Sequence, residues 1–475
     1  MKKLAVIVLA AGQGTRMKSK LAKVLHPLCG RPMALYAADL AESLAKGRVA
    51  VVVGYQAEKV KELLADRKIS LVAQACQLGT GHAVLQAQSV FQGAMGHGRG
   101  SHGWNGLRFV ILSGDTPLLT EATVRALLAT HERERATVSL LTAHLARPVG
   151  YGRIVRGRDG SVWKIIEDKD ATPSERRLNE VNAGIYVVEG SFLFPALASL
   201  KPVNAQKEYY LTDIVDAAIR QGKKVAADIA ADPVEALGIN TRVELAEAER
   251  VLRGRVRQRL MEAGATFLAP ETSFVDMGVT IGRDSVIHPH VTLEGRTMIG
   301  EDCVVRSHTR LVECALGDGV TILDGCVIEG SRLEAGCRVG PFAHLRPGTI
   351  VRRHARVGNF VELKNTDLGE GAKVNHLSYL GDARIGKRVN VGAGTITCNY
   401  DGVNKHQTVV GDDVFIGSDV SLVAPVTVGK GAMIAAGSVV TQGVAADALA
   451  LGRARQVVKP GWAKKWREKM KKGKR

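Results

Sequence analysis

The sequence predicts two folded regions of different class: an α/β region with a mostly parallel sheet, followed by an all-β region wound as a parallel β-helix. Three observations support this. Short apolar runs alternate with helical patterns over residues 1–240, and aliphatic residues then recur every six positions. Aromatic residues form only 4% of the 475 residues, beside 52 glycines. Such a composition is typical of small aliphatic strands and tight turns rather than of a large helical core.

The α/β prediction rests on five apolar runs: Leu4–Leu9, Val49–Val53, Phe109–Leu112, Val138–Ala143 and Ile185–Val188. Helical patterns such as Ala34–Lys46 and Glu121–Arg133 lie between some of them, which favours a parallel arrangement of the strands. The first run follows two lysines like a secretion signal, but it is short and a motif follows it, so we interpret it as a buried strand. The Gly- and His-rich stretch Gly93–Gly106 breaks the alternation, and we expect a surface insertion there. Its His97 and His102 have no companion residues at metal-ligand spacing.

A long helix is predicted over residues 241–264, between the two regions. Residues Thr241–Glu244 form a capping box, and Gly264 stands where the helix should end. An apolar stripe follows the helical period: Leu245, Leu252, Val256 and Leu260. We therefore expect an α/β domain over 1–240, a linker helix over 241–264, a β-helix over 265–452 and a basic tail over 453–475.

The six-residue period begins at Ile281 and continues through Ile287, Leu293, Ile299, Val305 and Leu311, with later sets after short shifts. This period fits neither an amphipathic helix nor an ordinary strand, but it fits a β-helix in which each unit makes one short strand and one corner. Four of the seven cysteines, Cys303, Cys314, Cys326 and Cys337, fall near inward-pointing positions, and no CxxC pair exists. We expect free thiols in the core and hence a reducing compartment, the cytoplasm.

The net charge of +18 is concentrated at the C-terminus, where residues 453–475 contain eleven basic residues and one acid, Glu468. We expect this tail to be solvated and disordered, with binding to an anionic partner as the alternative. The remaining chain is mildly basic, which suits phosphorylated substrates better than specific nucleic-acid binding. No apolar run approaches the roughly 18 residues that a membrane span requires.

The first polar constellation begins directly after the first strand, with LAAGQGTRM over Leu9–Met17 and then Lys23. Small residues let backbone N–H groups approach phosphate oxygens, and Arg16 and Lys23 can neutralise them. Neither the dinucleotide fingerprint nor the P-loop is present. Downstream, Gln74–Ala83 offers an amide and a tight turn, and Asp115 follows a strand at the sheet edge where α/β proteins bind ligands.

These motifs resemble the sugar-nucleotide pyrophosphorylases across residues 1–240. The resemblance implies that a sugar-1-phosphate oxygen attacks the α-phosphorus of a nucleotide and pyrophosphate leaves, with Arg16 and Lys23 as catalytic cations. It implies Mg²⁺ on Asp115 and Asn240. It also implies that substrate is bound by Leu9, Ala10, Ala11, Gly12, Lys23, Gln74, Gly79, Thr80, Ser113, Gly114, Asp115, Gly152, Glu167, Asn182 and Asn240. The chain departs from the family in having Ala22 before the lysine, where proline is usual, and Ser113 before Gly114.

The second constellation lies within the repeats, where polar residues recur on neighbouring coils: Arg346, Lys364, His376, Tyr379, Asn390, Asn399 and Tyr400. Because coils stack about 4.8 Å apart, residues one or two turns apart can converge on one ligand. Arg346 and Lys364 suit a phosphate. A histidine, which titrates near neutral pH, can take a proton from an amine that attacks a thioester, and we propose Glu362 as the residue that orients His376.

From Leu9 to Arg453 the chain resembles the bifunctional N-acetylglucosamine-1-phosphate uridylyltransferase/glucosamine-1-phosphate acetyltransferases. The resemblance implies a left-handed β-helix, a homotrimer, and four substrates: acetyl-CoA, glucosamine-1-phosphate, N-acetylglucosamine-1-phosphate and UTP. It makes His376 the base and implies a supply of precursors for peptidoglycan and lipopolysaccharide. It places the amino-sugar phosphate on Arg346, Lys364, Tyr379 and Asn390, and acetyl-CoA on Ala393, Asn399, Tyr400, Ser418, Ala436 and Arg453.

Two alternatives remain open from the residues. The β-helix could be a regulatory or oligomerising module attached to a pyrophosphorylase, or the whole chain could be a non-catalytic binding scaffold. The intact set Arg16, Lys23, Asp115 and Asn240 disfavours the scaffold, and His376 with Lys364 disfavours the regulatory module.

Overall fold

The computed structural model describes residues 3–92 and 103–472, which divide into two compact units, Met1–Arg253 and Gly254–Arg475. The division falls inside a single helix, Arg242–Glu262, which occupies the position of the helix that the sequence predicts. The histidines His97 and His102 of the expected insertion lie outside the described residues. The end of that stretch, Gly103–Gly106, forms a 3₁₀ turn directly before a strand.

Unit 1 is built on a mixed sheet whose central strands are parallel, as the sequence predicts. The strands of this unit are β1 Lys3–Ala10, β2 Pro27–Leu28, β3 Arg31–Pro32, β4 Val49–Val53, β5 Ser70–Ala73, β6 Leu107–Ser113, β7 Val138–His144, β8 Arg153–Arg156, β9 Val162–Ile166, β10 Glu180–Glu189 and β11 Val225–Ile229. The sheet order is β11-β7-β10-β6-β1-β4-β5, with β8 and β9 attached to β10. Strand β10 runs antiparallel to both neighbours, and β2 and β3 form a separate hairpin.

Helices cover both faces of this sheet: α1 Met33–Leu44, α2 Ala57–Leu63, α3 Thr80–Gln86, α4 Gln88–Phe91, α5 Glu121–Arg133, α6 Gly190–Ser199 and α7 Asp213–Arg220. Strand β1 shows why the sheet needs cover on both sides. Its Ala5 and Ile7 pack in one hydrophobic core and its Val6 and Val8 in another, and all four are buried. The run Leu4–Leu9 is therefore an internal strand.

Unit 2 begins with the second half of α8 (Arg242–Glu262) and continues as three parallel sheets wound around one core, which confirms the β-helix. The first sheet contains Thr266–Phe267, Val286–Ile287, Val304–Val305, Thr321–Ile322, Arg338–Val339, Arg356–Asn359, Lys373–His376, Asn390–Val391, Phe415–Ile416, Met433–Ile434 and Leu449–Ala450. The second contains Phe274–Val275, Thr292–Glu294, Arg310–Val312, Val327–Glu329, His344–Leu345, Glu362–Lys364, Tyr379–Gly381, Ile396–Cys398, Ser421–Val423 and Val439–Val440. The third contains Thr280–Ile281, Met298–Ile299, Ala315–Leu316, Arg332–Leu333, Ile350–Val351, Asp367–Leu368, Ala383–Ile385, Thr408–Val410 and Val426–Val428. The left hand of the winding stays an expectation from the resemblance.

The core of the β-helix consists of the aliphatic residues of the six-residue period, such as Leu293, Val305 and Leu363, each fully buried. Cys303, Cys314, Cys326 and Cys337 are buried among them, and all seven cysteines are free thiols, as expected. Burial raises the pKa of Cys326 and of Cys337 to about 11, so both stay protonated and behave as small apolar side chains.

The sequence predicts a disordered basic tail. The structure instead has a helix, α9, over Trp462–Lys472. The composition explains the difference: after Gly461 the segment consists almost entirely of Ala, Lys, Arg, Glu, Met and Trp, most of which favour helix. Within residues 3–92 and 103–472, no helix is both long and apolar enough to cross a bilayer.

Candidate active sites

In unit 1, a cavity of about 300 Å³ lies beside the carboxyl ends of β1 and β6. It brings together ten of the residues singled out in the sequence: Leu9, Ala10, Ala11, Gly12, Lys23, Gln74, Gly79, Thr80, Ser113 and Asp115. Two polar residues that the sequence reasoning missed, Gln77 and Glu208, also line it. Gln77 was identifiable in principle, since it lies within the Gln74–Ala83 motif, and its amide nitrogen donates to the Ala11 carbonyl at 3.0 Å.

The charged groups of this site converge on two oxygen atoms. The Lys23 ammonium donates to the Asp115 carboxylate and, at 3.0 Å, to Oδ1 of Asn240. Arg16 donates to the same Asn240 oxygen at 2.9 Å, and the Ser113 hydroxyl donates to Asp115 at 2.6 Å. Burial by itself would raise the pKa of Asp115, but the Lys23 charge and the hydrogen bonds from Lys23 and Ser113 outweigh burial and lower it. Asp115 is therefore a half-buried carboxylate that stays ionised.

Glycine at position 14 is what lets Lys23 reach this cluster. Gly14 has a φ of 70°, in the left-handed region, directly before the 3₁₀ turn Thr15–Met17. A Cβ atom at Gly14 would lie 2.5 Å from the Cβ of Lys23. Any residue with a Cβ atom would clash with Lys23 here. The loop can therefore pack against this lysine only because the motif has glycine at position 14.

Asp115 and Asn240 also fit the proposed Mg²⁺. Their two oxygens come from separate segments, yet both contact the Lys23 ammonium, and Arg16 also contacts the Asn240 oxygen, so the cluster already holds two positive charges. Mg²⁺ typically takes one or two protein carboxylates and completes its shell with water and substrate phosphates. No group of three or more His, Cys, Asp or Glu residues suited to a metal occurs within the described ranges, so a richer protein cage is absent there.

A second polar cluster contains Gly152, Glu167 and Asn182. The Asn182 N–H donates to the Gly152 carbonyl at 2.9 Å, and a Cβ atom on Gly152 would lie 3.5 Å from Oε1 of Glu167. Glu167 accepts a hydrogen bond from the Thr212 hydroxyl at 3.2 Å, a partner that the sequence reasoning missed. Burial raises the pKa of Glu167, although the hydrogen bond from Thr212 acts in the opposite direction. The resemblance groups these three residues, and the structure places them together.

In the β-helix, His376 is oriented by Asn359. Nδ1 of the imidazole lies 2.8 Å from Oδ1 of Asn359, and the two residues stand opposite each other on adjacent coils. The expectation that Glu362 orients His376 is wrong: Glu362 accepts instead from Arg346 at 3.1 Å. The reason is register, because Glu362 belongs to another sheet and stands opposite Tyr379.

Three cations, Arg346, Lys364 and Lys405, lie close together at the strand Glu362–Lys364 of the second sheet. The pKa of Lys364 lies below its usual value because Lys405 is adjacent and Arg346 adds a further positive charge. Asp382 partly compensates this cluster, and its carboxylate accepts from Asn399 at 2.6 Å. The sequence reasoning quoted the segment that contains Lys405 without selecting the residue. Cations held this close to one another suit a doubly charged phosphate.

The structure separates one expected residue from the base. Asn390 stands opposite Lys373, three positions before His376 in the strand Lys373–His376. Within one chain Asn390 therefore lies beside the far end of that strand and not beside the imidazole.

Four of the six residues expected to bind acetyl-CoA, Ala393, Ser418, Ala436 and Arg453, lie on successive coils. The Asp419 N–H donates to the Ala393 carbonyl at 2.7 Å, the Gly437 N–H donates to the Ser418 carbonyl at 2.8 Å, and Arg453 donates to the Ala436 carbonyl at 3.0 Å. Gly392 and Gly417 permit this stacking, since Cβ atoms there would lie 2.6 Å and 2.5 Å from backbone nitrogens of the next coil. Tyr400, also expected there, is exposed, and Asn399 donates to Asp382.

Comparisons with known proteins match part of each unit to a transferase family. Residues 6–181 match the MobA-like NTP transferase domain, and residues 407–442 match the bacterial transferase hexapeptide family (six repeats). The bifunctional protein GlmU of Geotalea uraniireducens (strain Rf4) is 48% identical over 463 residues, which cover 97% of this chain and 99% of the relative. GlmU of Pelobacter propionicus (strain DSM 2379 / NBRC 103807 / OttBd1) is 47% identical over 470 residues, with 99% and 100% coverage. The chain belongs to the bifunctional GlmU family.

Family membership over the full length decides between the alternatives that the residues left open. Relatives that carry only a pyrophosphorylase with a regulatory β-helix, or a non-catalytic scaffold, would not match along 97% of the chain under a bifunctional name.

The larger cavity of unit 1, about 930 Å³ around His131 and Glu189, contains none of the expected site residues. The smaller cavity at the Asp115 cluster contains ten of them and is the candidate site of this unit.

Proposed function

We propose that the protein makes UDP-N-acetylglucosamine in two steps. Acetyl-CoA first acetylates glucosamine-1-phosphate on the β-helix, and the product then receives UMP from UTP in unit 1 with release of pyrophosphate. The observation that carries the proposal is the presence of two polar constellations on one chain of the GlmU family: the Arg16–Lys23–Asp115–Asn240 cluster and the His376–Asn359 pair. The product would serve peptidoglycan and lipopolysaccharide synthesis.

In the uridylyl step, unit 1 acts by positioning and charge. The loop Leu9–Gly12 presents backbone N–H groups to the triphosphate, while Arg16 and Lys23 neutralise the negative charge that develops on it. Asp115 and Asn240 would hold Mg²⁺, which supplies further charge neutralisation when bound. Gln74, Gly79 and Thr80 line the cavity where the base would bind, and Gly152, Glu167 and Asn182 would hold the sugar.

In the acetyl step, Asn359 determines which nitrogen of His376 is basic. The amide oxygen of Asn359 can only accept, so Nδ1 carries the hydrogen and Nε2 presents its lone pair. Nε2 takes a proton as the substrate amine attacks the acetyl carbonyl. The carbon–sulfur bond then breaks, and the leaving thiolate receives the proton. Arg346, Lys364 and Lys405 hold the sugar phosphate, with Tyr379 and Asn390 as further contacts, and the set from Ala393 to Arg453 binds acetyl-CoA.

We also propose a homotrimer and a cytoplasmic location. The first rests on the family resemblance. It would also explain why Asn390 lies away from the imidazole of its own chain, since a neighbouring subunit could supply that contact. The second is supported by seven free thiols, five of them buried, which an oxidising compartment would not favour.

One pair of assays tests both activities. Thiol release from acetyl-CoA on addition of glucosamine-1-phosphate should disappear in His376→Ala and persist in Asp115→Ala. Pyrophosphate release from UTP and N-acetylglucosamine-1-phosphate should show the opposite pattern. Absence of either activity in the wild type, or full activity in its matching variant, refutes that half of the proposal. Comparing the four nucleoside triphosphates tests the preference for uracil.

A further inference from the structure

Glu235 is a buried acidic residue outside the two candidate active sites. It lies in the 3₁₀ turn Pro233–Ala236, and its side chain contacts the start of α5. Its Oε2 accepts three hydrogen bonds there: from the Thr120 N–H at 3.1 Å, from the Thr120 hydroxyl at 2.9 Å and from the Thr123 hydroxyl at 2.5 Å. One oxygen atom therefore fixes this turn against a helix that is more than 100 residues away in the sequence.

Capping of α5 does not by itself explain a buried carboxylate here. Thr120 is the N-cap of the helix, and its own hydroxyl already accepts from the Thr123 N–H at 3.3 Å. Negative charge near a helix start is stabilising, but Glu121 supplies one in the first turn of α5. Burial of a carboxylate costs free energy that an exposed one does not. The position of Glu235 is therefore better explained by the two segments that it joins.

These two segments carry the proposed metal ligands. Asp115 lies in the connection from β6 to α5, five residues before Thr120, and Asn240 follows Glu235 by five residues. The Ile239 N–H donates to the Asp115 carbonyl at 2.9 Å, which joins the segments a second time, directly at the ligands. The Glu235 bridge and this hydrogen bond thus lie on either side of the same connection.

The segment that contains Asn240 is also held downstream. Glu244 accepts from the Asn240 N–H at 2.7 Å and from the Thr241 N–H at 2.8 Å, at the start of α8. Asn240 therefore lies between an upstream contact to α5, made by Glu235, and a downstream contact to α8, made by Glu244. Loss of the Glu235 contacts would loosen the upstream end.

We infer that Glu235 is a positioning residue that sets the separation of the Asp115 and Asn240 side-chain oxygens, an inference that rests on the proposed uridylyl transfer. Mg²⁺ holds its oxygen ligands at about 2.1 Å in nearly octahedral geometry, so two oxygens bind it together only within a narrow range of separation. Loosening of one segment should therefore weaken the binding of the ion itself.

The first readout is metal binding without turnover. Mn²⁺ serves as the probe because it suits the same oxygen ligands as Mg²⁺, and its free ion gives an electron paramagnetic resonance signal that is lost on binding. The titration uses the full-length protein with UDP-N-acetylglucosamine and no pyrophosphate, so that neither reaction runs. For Glu235→Ala we expect the Kd for Mn²⁺ to rise about tenfold, as is typical when a residue that orients a metal ligand is removed. Glu235→Gln keeps the size and one acceptor oxygen and should restore most of the affinity.

Thr123→Val tests the bridge from its other end. This change removes the hydroxyl that donates to Glu235 and keeps the size of the side chain, so the Kd for Mn²⁺ should rise about threefold. Combined with Glu235→Gln, its effect should be less than additive, because both changes act on one hydrogen bond. Glu121→Gln is the matched control: it also removes a carboxylate at the start of α5, but Glu121 pairs with Arg125 of its own helix, and the Kd should stay unchanged.

Pyrophosphate release provides the second readout. Glu235→Ala should need about tenfold more Mg²⁺ for half of the maximal rate, while acetyl transfer by the same sample is unchanged. A wild-type Kd for Mn²⁺ in both Glu235→Ala and Thr123→Val would overturn the inference. An equal loss of affinity in Glu121→Gln would also overturn it, since the cause would then be the charge at the helix start. The same holds for a wild type that releases pyrophosphate but binds no Mn²⁺. Absence of pyrophosphate release in the wild type would instead refute the proposed function.

Discussion

Replacing Gly358 by alanine should disable the acetyl site without affecting the uridylyl site. Gly358 lies in the strand Arg356–Asn359, directly before the residue that orients His376. A Cβ atom there would lie 2.5 Å from the carbonyl carbon and 2.7 Å from the Cα of Asn375, where ordinary contacts begin at 3.4 Å. The two coils must therefore separate by about 1 Å at this point, and the residues after Gly358 and Asn375 are the hydrogen-bonded pair itself.

The magnitude follows from that displacement. Overpacking of this kind costs about 1–3 kcal/mol, and a misplacement of about 1 Å in a catalytic group can lower the rate about 100-fold. We expect thiol release from acetyl-CoA to fall by about that factor in Gly358→Ala, while pyrophosphate release stays within twofold of wild type. The two activities of one protein sample provide the internal comparison.

A matched control separates the clash from the mere addition of a methyl group. Gly254 lies within α8 with nothing within 4 Å of its Cβ position, so Gly254→Ala should keep both activities and stabilise the helix by about 1 kcal/mol. Acetyl transfer within twofold of wild type in Gly358→Ala would refute the reasoning, because it would show that the coils absorb the methyl group without moving the His376 pair.

Three further predictions concern single side chains. Asn359→Ala should lower acetyl transfer about tenfold and change its pH profile, because Nδ1 of His376 loses the acceptor that selects its tautomer; an unchanged profile would contradict this role. Leu363→Ala removes a fully buried core residue and should destabilise the β-helix by about 2–5 kcal/mol in denaturant unfolding; a loss below 1 kcal/mol would contradict its place in the core. Burial, with a smaller effect of Asp216, raises the pKa of Asp213 from 3.8 to about 6, so the folded state binds this proton more tightly than the unfolded state. The stability that Asp213 contributes is therefore present near pH 4 and is lost as pH rises through about 6. Asp213→Asn should raise the melting temperature relative to wild type at pH 7.5 more than at pH 4, and an equal change at both values would contradict the argument.

The sequence alone determined the features that depend on local pattern. The six-residue period is a property of consecutive residues, and so the β-helix and its inward aliphatic residues follow from it directly. The strand Leu4–Leu9 and the adjoining glycine loop are also recognised from consecutive residues. An apolar run followed by small residues is typical of a buried strand that ends in a tight loop. The capping box at Thr241 likewise predicted the start of α8, where Glu244 accepts from the Asn240 and Thr241 N–H groups.

Tertiary structure alone decided which side chains meet across coils and segments. His376 is 17 residues from Asn359 but 14 from Glu362, and only the register of the parallel coils places Asn359 opposite the imidazole. Glu235 gives no motif in the sequence, since its partners at Thr120 and Thr123 are more than 100 residues away. Periodicity specifies which residues face inward, whereas the positions of polar side chains depend on how each coil or loop is offset from the next. That offset accumulates through every corner of the chain, and so it exists only in the folded molecule.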